Sequence, residues 1–339
     1  MNDTFLKACR GEKTSYTPVW IMRQAGRYLP EYQKVRSKVD FLTLCKTPEL
    51  AAEVSIQPVD ILKVDAAILF SDILIPVEAM GMKLEFSEAK GPILYDPIRN
   101  DVAVSRLRSI KAVEDVPFVM DAVKLLVKKL NVPLIGFSGA PFTLATYMIE
   151  GGGSRNFTNT KRMMYQTPEL FGALMDKITD TVIDYLQAQI DAGVDAVQIF
   201  DSWAGVLSPV DFEAYALKYV QRIVSALKGK APVIYFALNG SAMLRLVRKA
   251  GADVFGVDWR IDMADAVNAL GGDAAVQGNL DPCTLFGKKE LIRERVKGVL
   301  HGAQGAKGHI FNLGHGILPE TPVENAVALV EAVHELSSR

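Results

Sequence analysis

From about residue 130 onward, two textures alternate along the chain. Short, almost wholly apolar runs recur at Pro133–Phe137, Ala196–Phe200, Pro232–Phe236, Val254–Val257, Ala274–Gln277 and His309–Asn312. Between them lie longer stretches with helical spacing. Leu170, Leu174, Ile178, Val182, Leu186 and Ile190 put an apolar stripe on one helix, and Phe212, Tyr215, Tyr219, Ile223 and Leu227 do so on the next. Leu244 with Val247, and Leu291 with Ile292, Val296 and Val299, mark two more. Strands that are apolar throughout, rather than alternating, belong to a parallel sheet covered on both faces. Upstream, Pro18–Met22 and Ala66–Phe70 have the same texture, which brings the expected strands to eight.

Punctuation supports this reading. Thr47-Pro48, Thr167-Pro168 and Thr321-Pro322 each place a hydroxyl where an N-cap belongs and a proline at the first helical position, with Glu324 as a capping-box acceptor for the last. Gly193 and Gly251 stand where helices should stop, in the echoing segments AGVDAVQIFD and AGADVFGVD. No dinucleotide-binding glycine motif follows the first strand. The prediction is therefore an α/β chain folded as a single (β/α)8 barrel over residues 1–339, not an open sheet. Met82, Leu84 and Phe86 alternate, and Ile93 follows Gly91-Pro92. This predicts a β-hairpin inserted between Gly81 and Pro97, after the second strand.

Composition narrows the function classes. Hydrophobic residues make up 49% of the 339 positions, enough for a large core, and the formal net charge of −1 lacks the basic excess of a nucleic-acid-binding surface. No signal peptide and no run long enough to span a bilayer is visible. The three cysteines, Cys9, Cys45 and Cys283, are scattered, as in a cytoplasmic protein with reduced thiols.

In a parallel barrel the chemistry sits at the carboxyl ends of the strands, and polar clusters fall there. Arg23-Gln24-Ala25-Gly26-Arg27 follows the first expected strand and Ser71-Asp72 the second; Asp201-Ser202-Trp203, Asn239-Gly240, Asp258-Trp259-Arg260 and Gly314-His315-Gly316 come later. Arg23 and Arg27 can each grip a carboxylate bidentately, or pair with the barrel's own aspartates. Asp72 reads as a rim carboxylate or, by itself more readily, as the N-cap of the next helix; Asp201 and Asp258 share that ambiguity. His315, between two glycines, suits anion binding or proton transfer. His301 and His334 are expected at the surface. Tyr147 by default packs in the core. Ser202 lacks the Gly-x-Ser-x-Gly elbow of a hydrolase nucleophile. Gly151, Gly152 and Gly153 carry only a weak phosphate-binding signal without a P-loop lysine.

The block PVWIMRQAGRYLPEY (Pro18–Tyr32) closely resembles the N-terminal signature of the uroporphyrinogen decarboxylase family, and the resemblance continues through ILFSDIL, GFSGAPFTLATYMIEGGGS, FDSWAG and FNLGHGI, in order and over almost the whole chain. The resemblance implies a single barrel, paired as a homodimer, that removes carbon dioxide from the four acetate arms of uroporphyrinogen to give coproporphyrinogen, without metal, flavin or pyridoxal phosphate. By motif, Arg23 and Arg27 bind substrate carboxylates, with Gln24, Ala25 and Gly26 on the same wall. Ile68 and Phe70 pack on the macrocycle, and Asp72 receives its pyrrole N–H groups. Tyr147 and Ser202 approach the reacting arm, and His315 contacts a propionate. The resemblance puts catalysis on Asp72, Arg23, Arg27 and Tyr147. Two other readings compete: a zinc-dependent corrinoid or thiol methyltransferase of the same superfamily, and a non-catalytic tetrapyrrole carrier.

Overall fold

A computed structural model describes residues 2–87 and 91–339. Its main sheet holds seven parallel strands: β1 (Ala67–Ile68), β4 (Leu134–Gly139), β5 (Ala196–Asp201), β6 (Val233–Ala237), β7 (Val254–Gly256), β8 (Ala275–Leu280) and β9 (Gly308–Leu313), adjacent in that order. A separate antiparallel pair, β2 (Leu84–Ser87) and β3 (Gly91–Leu94), follows β1 in the chain. Most strands are buried along their whole length, as their unbroken apolar texture requires.

The first expected strand, Pro18–Met22, is reduced to a single bridge between Val19 and Phe311. It still joins the two edges of the sheet. Phe311 donates to the Pro18 carbonyl at 2.8 Å, and the Asp65 N–H donates to Val19 at 2.8 Å. The regular ladder fails because side chains take the remaining backbone groups. The N–H of Val19 goes to Asp65 Oδ2, that of Ile21 to Gln24 Oε1, and that of Met22 to Asn312 Oδ1. The sheet is thus a curled parallel sheet of the barrel type, its eighth position filled by an irregular segment.

The echo around Gly193 and Gly251 is a repeated joint. Both glycines end helices in the left-handed region, with φ of 116° and 77°. Two residues on, Asp195 donates its N–H to Leu134 and accepts the Leu134 N–H on its carboxylate; Asp253 and Val233 repeat the exchange. A third copy is Lys63-Val64-Asp65, where Lys63 takes the left-handed turn (φ 59°) and Asp65 pairs reciprocally with Val19. Each aspartate ties the start of one strand to the next, at the end of the barrel away from the strand carboxyl termini.

Helix Pro168–Ala192 matches its predicted stripe, but the next one is interrupted by a π turn at Glu213–Leu217 between Pro209–Phe212 and Lys218–Leu227. Leu291, assigned to the buried stripe of helix Lys289–Gly302, is instead exposed. The capping hydroxyls also differ from expectation. Thr47 Oγ1 donates back to Thr43 and Thr167 Oγ1 to Met163, because each threonine follows a preceding helix whose last carbonyls compete for it. Helix Val323–Ser337 begins one residue late, with Pro322 at the cap, and neither Thr321 nor Glu324 caps it.

In the hairpin, Leu84 faces Leu94 and Ser87 faces Gly91, so Gly91 and Pro92 lie within a strand, not at the turn; the connection 88–90 lies outside the described residues. Ile93 bridges Gly152 and the Leu94 N–H donates to Gly151. A Cβ on Gly151 would meet Pro97 at 2.8 Å, and one on Gly152 the Pro92 carbonyl at 2.9 Å. Gly151 and Gly152 serve the docking of the hairpin, which accounts for two of the three glycines without phosphate.

Candidate active site

Arg23 leaves the end of the irregular first segment in the left-handed region, with φ of 64°. A non-glycine residue is uncommon there, and such strain gathers at functional positions. The backbone is held from both sides. Gln24 is fully buried, accepting from Ile21 N–H at 3.0 Å and donating to the Ala66 carbonyl at 3.1 Å, while the Tyr28 hydroxyl donates to the Gln24 carbonyl. A Cβ on Gly26 would meet the Arg23 carbonyl at 2.8 Å, so it is the chain's own backbone that makes the close approach there. Ala25 and Gly26 remain half-exposed. Gln24, grouped with them from the sequence, has no face toward the cleft and acts as a clip beneath it.

Arg23 and Arg27 are both solvent-exposed, and among the described residues neither makes an ion pair with an acidic side chain. The stem of Arg23 lies across Gly316, where a Cβ would come within 2.3 Å of it. Surrounding protein lowers the Arg23 pKa from its ordinary value, opposed by Tyr147 and Asp72 and reinforced by Arg27. The guanidinium is therefore recessed, open to solvent yet poorly hydrated, within the electrostatic reach of Asp72, Tyr147 and His315.

Asp72 combines its two sequence readings. Oδ1 accepts the Leu74 N–H at 2.8 Å, just ahead of helix Ile75–Ala79. Oδ2 has no hydrogen-bond donor among the described residues. Burial raises the carboxyl pKa to about 6, against the pull of the Leu74 N–H and Arg23. Ionised at neutral pH and half satisfied, this carboxylate is free to accept a further donor.

Tyr147, on helix Pro141–Glu150, is half-buried; burial and then Asp72 raise its hydroxyl pKa to about 12. Its ring packs on Trp203, 5.7 Å between centroids. The Trp203 Nε1–H is buried without a partner and influences the Tyr147 hydroxyl, a feature that Asp201-Ser202-Trp203 as a loop motif did not reveal. Ser202 beside it is half-exposed. His315 is half-buried, stacked on Trp259 (6.4 Å, 20°) and near Phe236, with Nδ1 lacking a partner; burial, then Arg23 and Arg260, push its pKa down to about 4. Ile68 is buried, while Phe70 is half-exposed against Tyr32 and Phe41.

The other candidates are engaged within the fold or carry no partner of this site. Asp201 is buried between the Thr143 and Tyr235 hydroxyls, and Asp258 accepts backbone N–H groups of Asn239 and Arg260. His309 is turned onto the Gly278 carbonyl. His334, expected at the surface, is partly buried with Nε2 2.8 Å from Asp65 Oδ2, which also accepts at Oδ1 from Tyr16 and Asn2. Cys9 and Cys45 are buried and Cys283 exposed, all as free thiols.

A curled parallel sheet with unpaired arginines and one half-satisfied carboxylate past its strand ends has the architecture of the barrel enzymes, whose sites lie at that end. Comparison with known proteins makes this particular. A family model for uroporphyrinogen decarboxylase matches residues 1–336. Curated uroporphyrinogen decarboxylases from Desulfotalea psychrophila, Carboxydothermus hydrogenoformans and Geobacter sulfurreducens are 58%, 57% and 56% identical, covering all of this chain and 97–100% of theirs. The chain belongs to the uroporphyrinogen decarboxylase family, the carboxy-lyases of porphyrin and haem biosynthesis. Among solved structures, a methyltransferase from Methanosarcina mazei shares the fold at a TM-score of 0.79 and 22% identity over 98% of both chains. A B12-independent methionine synthase from Shewanella does so at 0.60 and 14%, over 85% of this chain and 87% of its own.

Proposed function

We propose that this chain, as one catalytic domain over residues 1–339, decarboxylates the acetate arms of uroporphyrinogen with its own side chains and no metal, flavin or pyridoxal phosphate. The observation that carries the assignment of the site is a half-satisfied, half-buried carboxylate, Asp72, within electrostatic reach of the unpaired guanidinium of Arg23.

A pyrrole acetate holds its carbon dioxide because the electron pair left behind has no sink. Protonation of the pyrrole at carbon creates one. The C–CO2 bond then breaks, its electrons neutralise the cation through an exocyclic methylene, a second proton turns that methylene into a methyl group, and the ring carbon gives up the proton it first took, restoring the pyrrole. The cation is the charge that develops along the path, so a fixed anion beside the pyrrole nitrogens lowers the barrier, by several kcal/mol at about the scale of other preorganised sites. Asp72 Oδ2 supplies that anion and orients the pyrrole N–H groups. Arg23 and Arg27 grip acidic arms, Ala25 and Gly26 line the wall beside them, Ile68 and Phe70 support the macrocycle, Tyr147 and Ser202 face the reacting arm, and His315 donates to a propionate. Arg23 positions the acetate and helps deliver the proton. An ordinary arginine is a poor acid; the lowered pKa of Arg23 moves it in the useful direction, whereas Tyr147 is moved the other way.

Anaerobic incubation with uroporphyrinogen, followed by oxidation and chromatography, tests the reading. Seven- to four-carboxylate products are expected. Unchanged eight-carboxylate porphyrin leaves only the carrier. The zinc methyltransferase is the weaker alternative, because the described residues hold no group of three His, Cys, Asp or Glu suited to a metal. The homodimer belongs to the same proposal. Val210 is exposed, and so is Tyr165, which is hydrogen-bonded to Asp211 and packed on Tyr215; both are candidate contacts for it. Light scattering reads the mass directly. Residence in the cytoplasm is supported by the free thiols, and no described helix is long and apolar enough to cross a membrane.

A further inference from the structure

Arg260 follows Asp258 and Trp259 just past β7, at the same end of the sheet as the other site residues. Its own acidic neighbour is already occupied. Asp258 accepts the N–H groups of Asn239 and Arg260 and lies 3.4 Å from the Ser241 hydroxyl, and its Oδ2 stands 3.8 Å from the Arg260 guanidinium, too far for a hydrogen bond. Among the described residues no acceptor takes any N–H of that guanidinium.

The guanidinium is nevertheless fixed in place. It lies 3.8 Å from the centre of the Trp259 ring, which is itself stacked with His315. The main chain beneath the indole is itself hemmed in: a Cβ on Gly314 would meet the Trp259 backbone nitrogen at 2.4 Å, so the last strand's exit lies against the backbone that carries the ring. Arg23 crosses the neighbouring Gly316. The result is a wall on which a partly exposed guanidinium that donates no hydrogen bond among the described residues, an indole, an imidazole with an orphaned nitrogen and a second guanidinium follow one another. A planar fork resting on an aromatic face loses little freedom when it takes a carboxylate.

We propose that Arg260 is a specificity-determining residue of the active site, a third guanidinium that binds a peripheral carboxylate of the substrate on the His315 side of the cleft. The proposal rests on the uroporphyrinogen reading. A macrocycle ringed by carboxylates presents more anionic arms than Arg23 and Arg27 can take. Arg260 touches no reacting atom, so its contribution is uniform to ground and transition states and appears in KM.

The test compares Arg260→Gln and Arg260→Lys with the wild type on uroporphyrinogen, with Lys289→Gln, on the outer helix Lys289–Gly302, as a control for loss of one positive charge. Loss of a charge-assisted bidentate contact raises KM about tenfold or more in Arg260→Gln with kcat within about twofold. Lysine restores only part of the affinity, and Lys289→Gln changes neither constant. An unchanged KM in Arg260→Gln, or a fall in kcat with KM intact, overturns the proposal. A wild-type enzyme without decarboxylase activity refutes the parent reading instead, so the two failures are distinguishable.

Discussion

Asp72 carries two burdens that pull apart. Its carboxyl pKa stands at about 6 in the fold against 3.8 outside it, so holding the ionised form in place costs about 3 kcal/mol at neutral pH. The sign is fixed by the direction. Below 3.8 the carboxyl is protonated in both states and nothing is lost; the cost grows between 3.8 and about 6 and is complete above that. Asp72→Asn keeps an oxygen for the Leu74 N–H and removes the charge. It is expected to raise the melting temperature at pH 7.5 by roughly 3–8 °C, with no gain at pH 3.5, while kcat falls by about 10² or more. A variant that melts lower than wild type at pH 7.5 contradicts the placement of this carboxylate. His315 makes a complementary case. Pushed down to about 4, it is neutral in the free enzyme and offers a hydrogen bond but no charge. Its imidazole resonances should titrate near 4 without ligand and near or above 6 once a porphyrinogen carboxylate is bound; a free-enzyme midpoint between 6 and 7 excludes the recessed, cationic surroundings described for it.

At the scale of the elements, the joints formed by Asp65, Asp195 and Asp253 tie strand starts together at the barrel's amino end. Each leaves a strand N–H without a partner if removed. Asp195→Ala and Asp253→Ala are expected to lose about 1–3 kcal/mol each in urea unfolding, with kcat and KM unchanged, because that end of a barrel serves stability. Asp65→Ala should lose more, since Tyr16, Asn2 and His334 converge on the same carboxylate. A drop in kcat without a drop in stability would place these residues in the chemistry instead. The joints also mark how far the sequence was legible. The Gly193 and Gly251 echo was visible because glycine announces a left-handed helix end. The third copy was hidden because Lys63 makes the same turn with a side chain. The apolar run Pro18–Met22 announced a strand, but a run cannot show that Asp65, Gln24 and Asn312 will replace its ladder from distant positions. Arg23, Asp72 and His315 drew notice by their places after strand ends, and the fold sets Arg23 within electrostatic reach of the other two. Gln24 departs from its neighbours because Ala25 and Gly26 stay half-exposed while its amide turns inward to Ile21 and Ala66. Arg260 stood in the cluster Asp258-Trp259-Arg260 without a role of its own, because a sequence cannot show that the fold gives Asp258 to backbone N–H groups.

For the whole molecule, the formal net charge of −1 offers no attraction to a polyanion. Capture of the proposed substrate must come from the local field. Arg23, Arg27 and Arg260 supply positive charge at the mouth without internal ion pairs of hydrogen-bonding length, while the acidic groups nearest them, Asp72 and Asp258, are recessed or occupied by backbone. Low-dielectric walls concentrate such a field, and it decays over a Debye length of about 10 Å at 0.1 M salt. The enzyme should therefore behave toward uroporphyrinogen as a cationic surface despite its overall charge. Between 20 and 300 mM sodium chloride, kcat/KM is expected to fall by about tenfold. Arg27→Gln, which removes the outermost exposed charge of the first cluster, should flatten that dependence while a neutral crowding agent leaves it unchanged. If kcat/KM is flat in salt for the wild type, the arms are not being drawn in by these guanidiniums, and the assignment of Arg23 and Arg27 to substrate carboxylates loses its physical basis.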